Sequence, residues 1–214
     1  MFSQMPKLIA IEGPIGVGKT TLAKRLAETL SSEVVLENIN DNPFLDRFYQ
    51  NRRQAALATQ LFFLFQRSQQ IQDMRQDDLF ASTRVFDFLM QKDKLFAKVN
   101  LDDEEFKLYE QVYEKLLIDA PKPDLVVYLQ APTDTLMQRI EQRGVAAEKN
   151  IHREYLEELN QTFSEFFLYY DESPLLIVNS KDIDFAHSDN DYEQLVEQIL
   201  RTRSGRHFYN PTLL

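Results

Sequence analysis

Apolar residues recur along this chain in two rhythms. Leu8-Ile9-Ala10-Ile11, Val34-Val35-Leu36, Leu125-Val126-Val127-Tyr128-Leu129 and Leu175-Leu176-Ile177-Val178 are short unbroken runs that read as buried strands. Arg84-Val85-Phe86-Asp87 is a further extended candidate. Between the runs the spacing turns helical. Leu22, Leu26 and Leu30 share one face; so do Leu57, Leu61, Leu64, Phe65 and Ser68, in a helix expected from Ala55 to about Met74. Asp103 to Leu117 aligns Phe106, Tyr109, Tyr113 and Leu116, and Pro121 and Pro123 end it. Thr133 is placed to cap a helix through Leu136, Ile140 and Arg143, with Gly144 after it. Tyr155, Leu159, Phe163 and Phe166 mark another helix, and Asp191 to about Arg201 the last. Strands that alternate with helices predict an α/β fold, a parallel five-stranded sheet wrapped by helices on both faces. Ligands of such sheets sit at the carboxyl ends of the strands, where Glu37 and Asp87 fall.

The first strand runs into Gly13-Pro14-Ile15-Gly16-Val17-Gly18-Lys19-Thr20, and the first helix follows. This is a full P-loop in the context the motif requires. Gly13, Gly16, Val17, Gly18, Lys19, Thr20 and Thr21 are the expected nucleotide-binding residues. Glycines free backbone N–H groups to wrap an oxyanion, and the helix N-terminus adds favourable partial charge. Lys19 is expected to reach the β- and γ-phosphates, and Thr20 to offer its hydroxyl to Mg²⁺.

Composition narrows the classes. The 214 residues suit a single α/β domain, with a tail from about Arg203 to Leu214 of unassigned order. Lys and Arg total 24 against 34 Asp and Glu, a formal charge of −10, which argues against a nucleic acid polymer as partner. A small anionic ligand stays open, because a P-loop works with backbone dipoles and one lysine. The chain has no cysteine, which excludes disulfides and thiolate metal sites and agrees with a reducing compartment. Met1 to Lys7 lacks the apolar core of a signal peptide, and no apolar run approaches a membrane span of about 18 residues, so a cytoplasmic protein without membrane contact is expected. His152, His187 and His207 show no metal spacing. Neither an N-K-x-D base-reading element nor a D-x-x-G switch is present, which excludes a GTPase.

Four segments carry a resemblance. They are Asp41-Asn42-Pro43-Phe44-Leu45, Asp87-Phe88-Leu89-Met90-Gln91-Lys92-Asp93, Lys94-Leu95-Phe96-Ala97, and Arg139-Ile140-Glu141-Gln142-Arg143-Gly144. With the P-loop they resemble the deoxynucleoside kinases, in particular the bacterial deoxyadenosine/deoxyguanosine kinase branch, from about Lys7 to Leu200. The resemblance implies a P-loop kinase fold with a short lid, ATP with Mg²⁺ as phosphate donor, and a homodimer. It implies that Glu37 is the catalytic base toward the sugar 5′-hydroxyl and that Asp87 lies near Mg²⁺. Tyr49 and Glu148 match the pair on the 3′-hydroxyl. Gln60 and Asp93, with Arg67 beside them, match the residues that bond the base edge; Arg139 and Arg143 match the lid arginines over the phosphates. The chain departs from the pattern where an arginine and a serine follow the acidic residue: they are Phe88 and Leu89 here, and a second lid arginine is Val145. Transition-state charge must then be neutralised with fewer cations.

The reaction expected is transfer of the ATP γ-phosphoryl to the 5′-hydroxyl of a 2′-deoxynucleoside, deoxyadenosine first. Gln60 donates and accepts at once, which suits adenine, and an ionised Asp93 held by Arg67 is a pure acceptor for an amine. A thymidylate-type kinase is the enzymatic alternative, but its acceptor is a phosphate and would leave Glu37 unexplained. A P-loop regulatory protein is the alternative from another class. Phe185 suits either stacking on a nucleobase or core packing. The apolar helices Ala55–Met74 and Asp103–Leu117 offer more surface than one sheet face needs, which favours a helical dimer interface.

Overall fold

The apolar runs become strands β1 (Leu8–Glu12), β2 (Glu33–Val35), β3 (Arg84–Phe86), β4 (Leu125–Gln130) and β5 (Leu175–Asn179) of a computed structural model that describes residues 5–76, 83–116 and 120–211. A sixth strand, β6 (Arg206–Tyr209), lies in the tail, so the expected five-stranded sheet has six strands, ordered β2-β3-β1-β4-β5-β6 and parallel at every pairing. β6 pairs with β5 at the sheet edge and buries Tyr209, while Arg206, His207 and Phe208 stay exposed. One buried residue leaves no apolar run to read. β4 is central and buried from Leu125 to Leu129, which explains its unbroken hydrophobicity.

The helices are α1 (Lys19–Thr29), α2 (Leu45–Gln50), α3 (Arg52–Gln76), α4 (Lys92–Asn100), α5 (Asp103–Leu116), α6 (Thr133–Arg143), α7 (Arg153–Tyr169) and α8 (Asp189–Arg201). Leu117, the expected end of α5, lies outside the described residues. α2 and α4 are additions: α2 is short, and α4 opens on the polar run Lys92-Asp93-Lys94. Pro132 takes the N-cap position of α6 and Thr133 makes no capping bond, whereas Ser188 caps α8 by accepting from the Asp191 amide at 3.2 Å. Leu36 falls just outside β2, and Asp87 just outside β3.

One core fills the space around the sheet, with Tyr128 stacked on Phe167 at 4.1 Å between ring centroids. A second cluster joins Leu64 and Ile71 of α3, Phe86, Phe88 and Met90, Ala97 of α4 and Tyr109 of α5. Part of the apolar surface expected to serve a dimer is therefore buried within the chain, and Phe65 and Leu108 are the large residues those two helices leave exposed.

Candidate active site

At the carboxyl ends of the strands lies a cavity of about 1050 Å³. At one end the P-loop turns from β1 into α1. Gly18 has φ +107°, and a Cβ there would lie 2.8 Å from the Phe185 ring; a Cβ on Gly13 would lie 2.3 Å from the Leu129 carbonyl oxygen. Both positions need glycine. Phe185 packs in the core beneath the loop, one of the two readings its sequence allowed, and it also lines the cavity. Lys19 donates from Nζ to the carbonyls of Gly13 at 2.7 Å and Pro14 at 3.1 Å. Burial, then the like charge of Lys92, lowers its pKa to about 8.

The Thr20 hydroxyl donates to Asp87 Oδ2 at 2.6 Å, and the Glu37 amide donates to Asp87 Oδ1 at 2.7 Å. Asp87 thereby ties α1 to the segment after β2. Thr21 lies exposed at the cavity's edge, and Val17 is buried beneath the loop. The Val17 carbonyl accepts from Arg139 Nη1 at 3.2 Å. Arg139 Nη2 also donates to the Ser180 carbonyl at 2.7 Å, so α6 is held to both the P-loop and the end of β5. Arg143 bonds both carboxylate oxygens of Glu148, which is buried in the turn after α6.

At the other end Glu37 is held by two cations, Arg67 Nη2 at one oxygen and Lys92 Nζ, 2.6 Å away, at the other. Burial pushes its carboxyl upward, but Arg67 and Lys92 outweigh that and hold it at about 2. Arg67 is buried between Phe63 and Phe88 and pairs through Nη1 with Asp93 Oδ1. Asp93 Oδ2 is buried with no hydrogen-bond partner among the described residues, and none is seen for the buried Gln60 amide. Tyr49, buried and with its hydroxyl pKa pushed well up by desolvation, feels the charges of Glu148, Arg143 and Glu37 across the same cavity.

Every residue expected from the sequence to bind or catalyse lines this one cavity except Gly13, whose carbonyl instead holds Lys19. Two residues passed unnoticed. Glu12 is fully buried and accepts from the amides of Gly13 at 2.8 Å and Leu89 at 2.7 Å; burial raises its pKa. Lys92 is the second partner of Glu37. A carboxylate ending a buried strand was the available signal for Glu12. A Lys-Asp-Lys run reads as a solvated face, and only the fold buries its first two members.

The model of the family described as deoxynucleoside kinase matches residues 9–203. The chain belongs to the deoxynucleoside kinase family. The kinase is 34% identical over 196 residues to a deoxyguanosine kinase of Bacillus subtilis (strain 168), covering 89% of this chain and 95% of that one. It is 30% identical over 202 residues to a deoxyadenosine/deoxycytidine kinase of the same strain, covering 90% and 91%. The structure of a deoxyadenosine kinase from M. mycoides with bound dCTP superposes with a TM-score of 0.77 at 27% identity, covering 89% of this chain and 97% of that one. The kinase is therefore a phosphotransferase with a nucleotide phosphate donor and a deoxynucleoside acceptor.

Whether these residues suit Mg²⁺ is a question of donor chemistry. No group of three or more His, Cys, Asp or Glu among the described residues is spaced to hold a metal. The Thr20 hydroxyl and Asp87 carboxylate are hard oxygen donors in contact at the P-loop, which fits an ion held partly by protein and partly by phosphate.

Proposed function

We propose that this kinase transfers the γ-phosphoryl group of ATP to the 5′-hydroxyl of a 2′-deoxynucleoside, with deoxyadenosine favoured. The observation that carries the base preference is the buried Asp93 Oδ2, which has no hydrogen-bond partner among the described residues, in a cavity that Gln60 also lines. A buried acceptor without a donor is costly, and an exocyclic amine satisfies it. A thymine carbonyl would set acceptor against acceptor, a mismatch worth up to about 10⁴–10⁵ in discrimination.

In this reading the P-loop amides and Lys19 hold the donor phosphates. Thr20 and Asp87 would hold Mg²⁺, which when bound supplies charge neutralisation on the phosphates. Tyr49 and Glu148 hold the sugar, and Arg139 and Arg143 cover the phosphates. Glu37 takes the 5′-hydroxyl proton. Its low pKa is no obstacle: in a loose phosphoryl transition state positioning matters more than basicity. A thymidylate-type acceptor fits worse. Arg67, buried and paired with both Glu37 and Asp93, is not placed to receive an acceptor phosphate, and Glu37 would have no role toward one.

We further infer a homodimer through α3 and α5, which carry the exposed Phe65 and Leu108. A cytoplasmic location is consistent with the absence of cysteine. No helix among the described residues is long and apolar enough to cross a membrane.

A coupled ADP assay across the four common deoxynucleosides tests the reading. Amine-bearing substrates should lead and thymidine trail, and Asp93→Ala should flatten that ranking while ATP binding is kept. Thymidine as the best substrate would overturn the base assignment.

A further inference from the structure

Lys92 is a lysine in the wrong place for a structural residue. It is 4% exposed, where lysines are seldom found unless paired. It stands in the first turn of α4, where the helix dipole disfavours a cation. Among the described residues its one hydrogen bond runs to Glu37 Oε2 at 2.6 Å, and Glu37 already has Arg67 on its other oxygen. The remaining ammonium protons have no hydrogen-bond partner among the described residues, and the side chain lines the cavity. A buried cation at a helix start that disfavours it, held against the carboxylate proposed as the base, marks a functional position.

The two residues after Asp87 cannot supply this charge. Phe88 is packed in the second core against Phe86, with ring centroids 5.3 Å apart. Leu89 is buried and spends its amide on Glu12. Neither lines the cavity. Lys92, three residues after Leu89, is carried to Glu37 by the start of α4, with its Nζ 5.8 Å from the centre of the Phe96 ring. Lys19, Glu37 and Lys92 line the same space, with Lys92 in contact with Glu37, so a phosphoryl group delivered to an acceptor at Glu37 arrives beside Lys92.

We propose that Lys92 is a catalytic residue that donates hydrogen bonds to the transferring phosphoryl group as its contact with Glu37 loosens, replacing the cation that positions 88 and 89 lack. The proposal rests on the transfer to a 5′-hydroxyl described above. In that step the 5′-oxygen bonds to the γ-phosphorus, and the bond from that phosphorus to the β,γ-bridging oxygen breaks. The electron pair leaves with ADP, and the hydroxyl proton goes to Glu37. Lys92 keeps all its protons and stabilises charge on the equatorial oxygens.

The test uses the full-length protein with Lys92→Met, Lys92→Gln and Lys92→Arg, each checked by thermal unfolding and assayed with ATP and deoxyadenosine. Both neutral variants should lose about 10²–10³ in kcat, the cost of one transition-state donor. KM for both substrates should stay within about threefold, because the contact is made in the transition state. Lys92→Arg should recover to within about tenfold of wild type, since a charged donor is restored. Gln matters because it can hydrogen-bond Glu37 without charge, so a purely positioning role would leave it active. A neutral variant at wild-type kcat, a KM effect without a kcat effect, or an Arg variant no better than Met would overturn the proposal. So would failure of both neutral variants to fold, which would make Lys92 structural. A wild type that turns over no deoxynucleoside would instead remove the proposed reaction itself, whatever the variants do.

Discussion

Glu37 shows how neighbours set a residue's chemistry. Its carboxyl lies at about 2 because Arg67 and Lys92 outweigh burial, so it is ionised at any working pH. The folded value is below the ordinary 4.5, so the stability this arrangement lends is present above about pH 4.5 and is lost as pH falls toward 2. Glu37→Gln keeps the shape and removes the base; kcat should fall about 10²–10⁴, with deoxynucleoside KM little changed. A change mainly in KM would show that Glu37 positions substrate rather than accepting its proton. Lys19 is perturbed the other way, lowered to about 8 by burial and by Lys92. Bound phosphate would favour its charged form, so nucleotide binding at pH 8 should take up protons, and binding at pH 6 should take up almost none. Titration calorimetry in buffers of different ionisation heat reads this directly. Equal heats across buffers at pH 8 would contradict it.

Among the elements, β6 is the one whose presence the sequence concealed. It closes the β5 edge, which would otherwise offer unpaired backbone groups to other chains. Tyr209 is its single buried residue, and the Asn179 amide donates to Asn210 Oδ1 at 3.3 Å just beyond it. That contact joins the tail to the end of β5, where Ser180 receives Arg139. Tyr209→Ala should cost about 2–5 kcal/mol, the range for truncating a large buried side chain. Urea denaturation monitors it, and an unchanged midpoint would mean that β6 adds nothing to the fold. α4 carries a different lesson. Its first turn holds Lys92 and Asp93, one on Glu37 and one on Arg67, so a helix start does the work of aiming two charges.

For the whole molecule, net charge is a poor guide to the site. The chain carries −10, yet the cavity lining balances Lys19, Arg67, Lys92, Arg139, Arg143 and Lys181 against Glu37, Asp87, Asp93, Glu148, Asp182 and Asp184. Local placement, not the sum, lets an acidic protein take an anionic nucleotide. The same economy appears in the apolar balance. The second core absorbs Leu64, Ile71 and Tyr109, so the dimer proposed above must rest on what remains, chiefly Phe65 and Leu108. Sedimentation velocity at micromolar concentration should show a dimer of the 25.2 kDa chain, and Phe65→Lys should shift it toward monomer. A wild type that sediments as a monomer would remove this interface.

The sequence alone determined what is local. A P-loop is contiguous and its pattern can be read directly, although its glycines answer to close approaches from Leu129, Ile140 and Phe185, far along the chain. β1, β4 and β5 are legible because strands buried on both faces must be apolar throughout. Glu37 and Asp87 are legible because strand ends of a parallel sheet point at the site. Only the tertiary structure decided the rest. β6 forms because β5 offers an edge, not because Arg206-His207-Phe208-Tyr209 demands a strand. Lys92, Asp93 and Glu12 have the types of solvated residues, and their burial and partners come from elements far away in the chain. A charge's role depends on what lies opposite it, and that is a long-range fact.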